Sequence, residues 1–396
     1  MDSDQRRIAR RRPTAAAVAI ATLAVAVAGV CESVRWIDPV AAAAPALSAA
    51  PHVSTPVGRD RVSLVRVSTD TLRVPDGAPR MHASALAVLP GNEMLAFWWA
   101  GSRESGPDVQ IYSSRWHDGH WRPATALFDR ERLGDTLGFG VRRLGNPTAW
   151  VSPDGTVNLF VVATGLGGWA ASRIVHLTSS DRGQRFSVKR MLPMSPLFNT
   201  SVLVRTSPIG WPDGGWWLPA YFELGNKYSL MLSFDRDGDP RAMARIGEST
   251  SAFQPAVVAV SPNELRAWMR VDKEDENRIH QAVSVDGGLT WEDLPSAPMV
   301  SQYSSMAALR LRDGGFVLLH NDAVAGVANS RARLRLAVSD DAEVWRDGVM
   351  VASGAPDDEF SYPSVQQIGN DLHVTYTDKR SHIAHHVYRI RYGAAG

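Results

Sequence analysis

The chain runs to 396 residues, 44% of them hydrophobic, with a formal net charge of +1. That length allows one large domain or two ordinary ones, and the apolar share is enough for a sizeable core. Near-neutrality excludes a dedicated nucleic-acid binder, which needs a strong basic excess; with thirteen tryptophans it suits a neutral or singly charged small ligand, and sugars are one such class because their C–H faces stack on aromatic rings.

The first twelve residues carry Arg6, Arg7, Arg10, Arg11 and Arg12 against Asp2 and Asp4, a net of +3 that leaves −2 for the rest. Residues 1–12 read as a basic tail retained in the cytoplasm. "TAAAVAIATLAVAVAGV" (14–30) is an uncharged apolar run of about the minimum membrane-spanning length. Residues 13–31 are therefore expected to be an uncleaved transmembrane anchor or a signal segment. Residues 32–60, rich in Ala and Pro, read as a flexible linker. This order places the protein in the cell envelope, with the membrane as a partner through its N-terminal segment. The body would lie in the periplasm or outside, anchored in the inner membrane, or be secreted if the segment is cleaved. The single cysteine, Cys31, excludes an internal disulfide framework.

From residue 61 the chain is a repeat. Six hairpin turns interrupt apolar runs of β character: "LPGNE" (89–93), "SPDGT" (152–156), "WPDGG" (211–215), "SPNEL" (261–265), "LRDGG" (311–315) and "IGNDL" (368–372). Gly, Asn and Asp at these places supply the positive φ that tight strand connections need. Six units over residues 61–396 give 56 residues each, about four short strands per unit. No helical period of useful length is visible there. The pattern predicts an all-β, six-bladed β-propeller.

A second series repeats with it. "SVDGGLTW" (284–291) is echoed by "SSDRGQRF" (179–186), and more loosely by "SFDRDG" (233–238), "SDDAEVW" (339–345) and "SSRWHDGHW" (113–121). The Asp is expected to accept hydrogen bonds from backbone N–H groups of its own turn. The Gly permits a left-handed backbone, and the Trp fills the gap between neighbouring sheets. Too few carboxylates sit in each box for a calcium loop. The box is read as architecture.

The chemistry is sought on the innermost strands, which converge on the propeller axis. The runs before the six turns open with His82, Asn146, Asn199, Gln254, Tyr303 and Tyr362, which predicts a polar ring at the mouth opposite the boxes. The strands after the turns run back to that mouth and bring Arg103, Glu104, Glu223, Arg270, His320 and Arg380 towards it. "HIAHH" (382–386) alternates as a strand does, so neither a metal nor a cofactor is expected.

These boxes on a six-fold repeat resemble the sialidase superfamily, also called BNR-repeat or Asp-box proteins. "HASALAVLPGNEMLAFWWAGSRESGPDVQIYSSR" and "FSYPSVQQIGNDLHVTYTDKRSHIAHH" look most like its bacterial branch of predicted neuraminidases, over about residues 65–393. The resemblance implies three arginines on a substrate carboxylate, a Tyr nucleophile paired with a Glu, and an acid/base Asp. It places the second arginine on Arg270, the third on Arg331 and the nucleophile on Tyr362. His82 stands where the first arginine would open the first inner strand, and Gln254 where the glutamate would open the fourth. Glu104 and Asp108 both lie in the loop expected to hold the acid/base.

A Tyr nucleophile needs a base, because its free pKa is about 10. Gln254 cannot take that proton; Glu223 or His82 could. The expected function is an exo-acting glycoside hydrolase of sialidase type, acting on sialic acid or a related acidic sugar at a glycan end. The partner would be an acidic glycan and not a nucleic acid. A uronate-directed polysaccharide lyase and a non-catalytic glycan-binding propeller are the alternatives.

Overall fold

Each apolar run between the glycine-rich turns forms a strand, and near-continuous burial along it is that of a pleated backbone packed on both faces. In a computed structural model, residues 14–36, 61–75, 77–192, 201–211, 213–272, 278–301, 303–312, 314–322 and 330–393 are described, with side chains of the first stretch described as far as residue 27. They form six antiparallel sheets, arranged as the blades of a propeller. The first blade runs outward from Arg80–Leu89 through Glu93–Gly101 to Gln110–His117, which pairs with both His120–Trp121 and Thr125–Asp129. The second is Arg143–Val151, Val157–Thr164, Ser172–Ser179 and Ser187–Met191. The third starts with Val202–Val204 and Ile209–Gly210, both paired with Trp216–Phe222, and continues through Tyr228–Phe234 to Pro240–Ile246. The fourth is Ala252–Ala259, Leu265–Val271, His280–Ser284 and Glu292–Leu294; the fifth is Ala307–Arg310, Phe316–Asn321, Arg333–Ser339 and Trp345–Ser353.

The sixth blade joins the two ends of the body. Phe360–Ile368, Asp371–Asp378 and His382–Gly393 are its inner strands, and the N-terminal strand Arg61–Leu72 is its outer edge. That strand runs antiparallel to the last one, from Val62 opposite Tyr392 to Leu72 opposite Ile383, with one bulge between Arg66 and Ser68. The core lies between blades as well as within them. Phe97 of the first packs edge-on against Phe186 of the second at 5.7 Å, and Trp268 of the fourth against Trp345 of the fifth at 5.3 Å.

The boxes close the end of the propeller that carries the hairpin turns. In 284–291, Asp286 Oδ1 accepts from Leu289 N and Thr290 N at 3.0 and 2.9 Å and from the Ser284 hydroxyl at 2.8 Å, while Gly288 N donates to Ser284 Oγ. The box is tied to the third blade by Trp217 Nε1, which donates to Gly287 O. Residues 339–345 fold the same way around Ser339 and Asp341, with Ala342 at a φ of 62° where a glycine would rest without strain. The loose match at 113–121 is instead a tight hairpin through Asp118 and Gly119, both at positive φ.

One expectation needs correction, and a second gains no support. The body is not free of helix: Arg130–Leu137 forms two turns between the first and second blades, started by Asp129, which accepts from Arg132 N, and ended by Gly138 in the left-handed region. The apolar run 14–30 is helical, within Ala15–Trp36, and its described side chains are exposed. Among the described residues no helix is long and apolar enough to cross a membrane, so the structure lends the anchor no support.

Between the sixth and first blades lies a buried histidine network. Trp121 Nε1 donates to His385 Nδ1 at 3.0 Å, and His385 Nε2 meets His373 Nδ1 at 3.0 Å. Because indole nitrogen only donates, His385 must be protonated on Nε2 alone and His373 must accept from it. Extra protons have no place in this chain. Burial lowers His373 to about 4 and His386 to about 4, and pushes His385 well down.

Two expectations follow from these contacts. Trp291→Ala should cost up to about 3 kcal/mol, the low end for a large aromatic because Trp291 is half-buried, while leaving glycan binding per folded molecule intact; unchanged stability with lost binding would contradict an architectural box. The unfolded chain also binds protons below about pH 6.5 that the folded histidines refuse. Stability should therefore be full above that pH and fall as pH drops towards 4. A melting temperature flat across this window at fixed ionic strength would contradict it.

Candidate functional site

At the end opposite the boxes, the inner strands carry matching irregularities. The strand register slips between His82 and Ala85, Gly145 and Pro147, Phe253 and Ala256, and Ser361 and Ser364. In the third blade residues 205–208 face only Leu218 and Pro219, since Val204 pairs with Ala220 and Ile209 with Trp217. Extra residues on an inner strand turn side chains out of the pleat. Gln254 and Tyr362 sit in these bulges at φ of 56° and 53°, a strained conformation for residues with a Cβ that the paired strands must hold.

Tyr362 is the hub. Its hydroxyl oxygen lies 3.3 Å from Gln254 Nε2 and 3.4 Å from Arg270 Nη1, both donors. The orientation of the Gln254 amide is settled by Arg270, which donates to Gln254 Oε1 at 3.0 Å and has nothing to accept with, so the NH₂ must face the tyrosines. That same NH₂ donates to Tyr221 at 3.1 Å, and Tyr221 also accepts from Asn146 Nδ2 at 3.3 Å. The His82 ring lies against the Tyr362 ring with centroids 4.2 Å apart.

Arg270 is 6% exposed, with its guanidinium 3.8 Å from the Tyr303 ring centroid and 4.5 Å from that of Phe253. Burial opposes its charge, but the oxygens of Tyr362 and Tyr303 outweigh this and its pKa is raised. Tyr303 donates to Asp272 at 2.6 Å, and Lys227 pairs with the same carboxylate at 2.6 Å. Arg331 enters from the fifth blade, donating to the Tyr303 carbonyl at 3.2 Å, with its guanidinium 5.8 Å from the Tyr362 ring. Arg270 at the hydroxyl and Arg331 near the ring thus put two guanidiniums about one tyrosine, which is a geometry able to hold a carboxylate beside it.

The remaining residues singled out in the sequence are placed as follows. His82 is 2% exposed, and burial together with the nearby Arg380 holds its pKa well below the ordinary value; it is a neutral ring packed behind Tyr362 rather than a base facing solvent. Asp108 turns back on its own loop, accepting from Ser102 N and Oγ at 2.7 and 2.8 Å, and these bonds lower its carboxyl despite partial burial. Glu104 pairs with Arg380, and Arg103 is exposed beside it. Arg380 is engaged by two carboxylates, Glu104 and Glu359, and so is not open to a substrate in this arrangement. Glu223 stands near Lys227, 3.9 Å away, and burial raises its carboxyl. His320 is buried at the end of its strand and burial lowers its pKa. Asn199 lies outside the described residues. Among the described residues no group of three or more His, Cys, Asp or Glu is placed to hold a metal ion.

Two residues at the centre of the site escaped the sequence reading. Arg205 is 2% exposed beneath the Tyr362 ring, its guanidinium 5.1 Å from the ring centroid. Counting back from the hairpin turn would have found it: Arg205 stands six residues before Trp211, as Asn146 stands before Ser152 and Tyr362 before Ile368. Glu359 accepts from Arg331 at 2.9 Å, from Arg380 at 2.7 Å and from Ser361 at 2.6 Å. Burial opposes its charge, yet Arg380, Arg331 and Ser361 bring its carboxyl down to about 2. Nothing local in "PDDEF" marks this glutamate over its neighbours.

Glu359→Gln should destabilise the fold by about 2 kcal/mol, because two arginines lose a shared, largely buried carboxylate. The depressed carboxyl contributes in full above the ordinary glutamate range and is lost as pH falls towards 2. The stability gap between the two proteins in denaturant titrations should therefore close below about pH 4.5; a gap unchanged with pH would contradict the ion-pair account.

The profile of the BNR repeat-like domain family matches residues 92–374. No curated protein matches the sequence. Among solved structures, a protein of unknown function from Dyadobacter fermentans superposes with a TM-score of 0.66 at 15% identity, covering 83% of this chain and 100% of that one. A Hadza microbial sialidase gives 0.66 at 16% identity over 80% of this chain and 66% of its own, and Trypanosoma rangeli sialidase in complex with sialic acid gives 0.59 at 16% over 83% and 58%. The chain thus spans about two thirds or less of each of these sialidases, and at such identities the likeness shows the fold. Six blades of four or five strands and a profile match over most of the body make one conclusion: the chain belongs to the BNR repeat-like domain family, on a fold that solved sialidases share.

Proposed function

We propose that the protein is an exo-acting glycoside hydrolase of sialidase type, taking sialic acid or a related acidic sugar at a glycan end. The observation that carries this reading is the pair of guanidiniums near Tyr362, Arg270 Nη1 3.4 Å from its hydroxyl oxygen and Arg331 5.8 Å from its ring. A sugar carboxylate held by both guanidiniums presents its ring to that oxygen, as nucleophilic attack at the anomeric carbon requires. In the attack the Tyr362 oxygen bonds to the anomeric carbon, the aglycone leaves with a proton from an acid at the mouth, and water later displaces the tyrosine. Glu104, 52% exposed and paired with Arg380, is assigned as that acid. Glu223, with its carboxyl raised by burial, is the remaining acceptor for the tyrosine proton, and its charge acts on Tyr221 in the same network.

One observation favours the non-catalytic alternative. The side chain facing Tyr362 is an amide that donates, where proton removal calls for an acceptor. The lyase alternative draws less support, because His82 is too buried to reach a sugar C5 proton.

Incubation with a 2,3-difluorinated acidic sugar should add its glycosyl mass to the intact protein, on Tyr362, and Tyr362→Phe should abolish the adduct. Gln254→Glu should raise turnover by about 100-fold or more by giving the tyrosine a base. Glycan binding with neither adduct nor released sugar, unchanged in Gln254→Glu, would leave a binding propeller, and an ultraviolet-absorbing unsaturated product from a uronate polymer would mean a lyase. Separately, Arg270→Ala and Arg331→Ala should each weaken an acidic sugar by about 1.5–3 kcal/mol and a neutral sugar of the same shape by less; equal losses by calorimetry would remove the carboxylate clamp.

A further inference from the structure

Arg205 is a buried cation whose described contacts are all uncharged. Nη1 donates to Ser84 O at 3.1 Å, Nη2 donates to Pro363 O at 2.6 Å, and the Tyr362 ring covers one face. Its Nε has no hydrogen-bond partner among the described residues. Among the described residues no carboxylate contributes to its electrostatics: burial lowers its pKa to about 10, and Tyr362 and Tyr221 oppose that. A guanidinium taken out of water without a counter-charge is costly, and folded proteins supply one.

The space beside it shows where the counter-charge belongs. A cavity of about 330 Å³ runs along the propeller axis, walled by the inner strands of the second to sixth blades, with Arg205 among its lining residues. Arg310 lines it too, and its described hydrogen bonds go only to the carbonyls of Ala259 and Val260. Among the described residues no Asp or Glu lines the cavity. The hydroxyl of Thr206 is already donated to Pro255 O at 2.5 Å.

We propose that this axial cavity binds a small monovalent anion of the halide type, on the free Nε–H of Arg205, on the side away from the sugar-binding mouth. The size and charge follow from the walls. One unpaired N–H and one uncompensated buried guanidinium call for a single negative charge. The alanine and valine side chains that line the strands, Ala256, Val258, Ala307 and Val365 among them, disfavour a strongly hydrated oxyanion such as phosphate.

Crystals of the full chain soaked in sodium bromide would be measured at the bromine absorption edge. The expected result is an anomalous peak within hydrogen-bond distance of Arg205 Nε in the axial cavity, with none in crystals of Arg205→Met. In solution, bromide and chloride should raise the melting temperature of the native protein saturably by a few degrees over gluconate at equal ionic strength, and this rise should vanish in Arg205→Met. The native crystals decide the matter even where that variant fails to fold. No peak, or a peak only at the mouth between Arg270 and Arg331, overturns the proposal. A peak in the cavity without a saturable stabilisation marks an adventitious ion only and overturns it too.

Discussion

Everything at the mouth depends on the pairing of Arg61–Leu72 with His382–Gly393. The residues around Tyr362 come from the first, third, fourth, fifth and sixth blades, which the described backbone joins only at isolated points such as Phe360 N to Arg331 O and Met81 N to Arg380 O. Their positions are set by closing the ring at the right circumference. The closing ladder spans eleven partnered positions and covers the outer edge of His382–Gly393. Fray that strand, and the interface between sixth and first blades, where Tyr362 meets His82 and Trp121 meets His385, loses its outer support.

The mouth is also an exercise in placing arginines. Arg380 is engaged by both Glu104 and Glu359, so its charge is largely spent within the protein, whereas Arg331 meets Glu359 through one nitrogen only. Arg270 is held by aromatic faces and neutral oxygens, which tolerate a cation without cancelling it. The result is a gradient of compensation from the rim to the hub. An incoming anion meets the least neutralised guanidinium closest to the tyrosine hydroxyl. Tyr303 contributes at both levels, its ring against Arg270 and its hydroxyl on Asp272.

Much of this was legible in the sequence, for local reasons. Turns announce themselves through Gly, Asn and Asp, because few other residues accept positive φ, and the boxes carry their own hydrogen-bond partners within five residues. Gln254 and Tyr362 were found because they precede Pro255 and Pro363 at a fixed place before a turn. Reading the third blade from the front of its apolar run pointed to Asn199, whereas the wider bulge at 205–208 carries Arg205 to the axis. The first blade shows a milder slip: Ala83, not His82, takes the left-handed conformation that Gln254 and Tyr362 take. Glu359 and Asp272 were invisible because their importance lies in partners distant in the chain, Arg331 and Arg380 for one and Lys227 and Tyr303 for the other. The helix at 130–137 was missed although Asp129 and Gly138 are ordinary boundary residues, since two turns are too few to show a period.

The up-and-down course of each blade divides its connections between the two ends. Turns joining first to second strands, and the boxes joining third to fourth, are short, internally bonded and tied to the next blade, as Trp217 ties to Gly287. Connections from second to third strands, such as residues 102–109, 165–171 and 223–227, all emerge at the mouth and carry Glu104, Trp169 and Glu223. Lengthening one of them asks nothing of the ring. The scaffold therefore separates heritable stability from heritable specificity: descendants of such a chain can trade these loops, and with them whatever the mouth receives, while the box end continues to hold the ring shut.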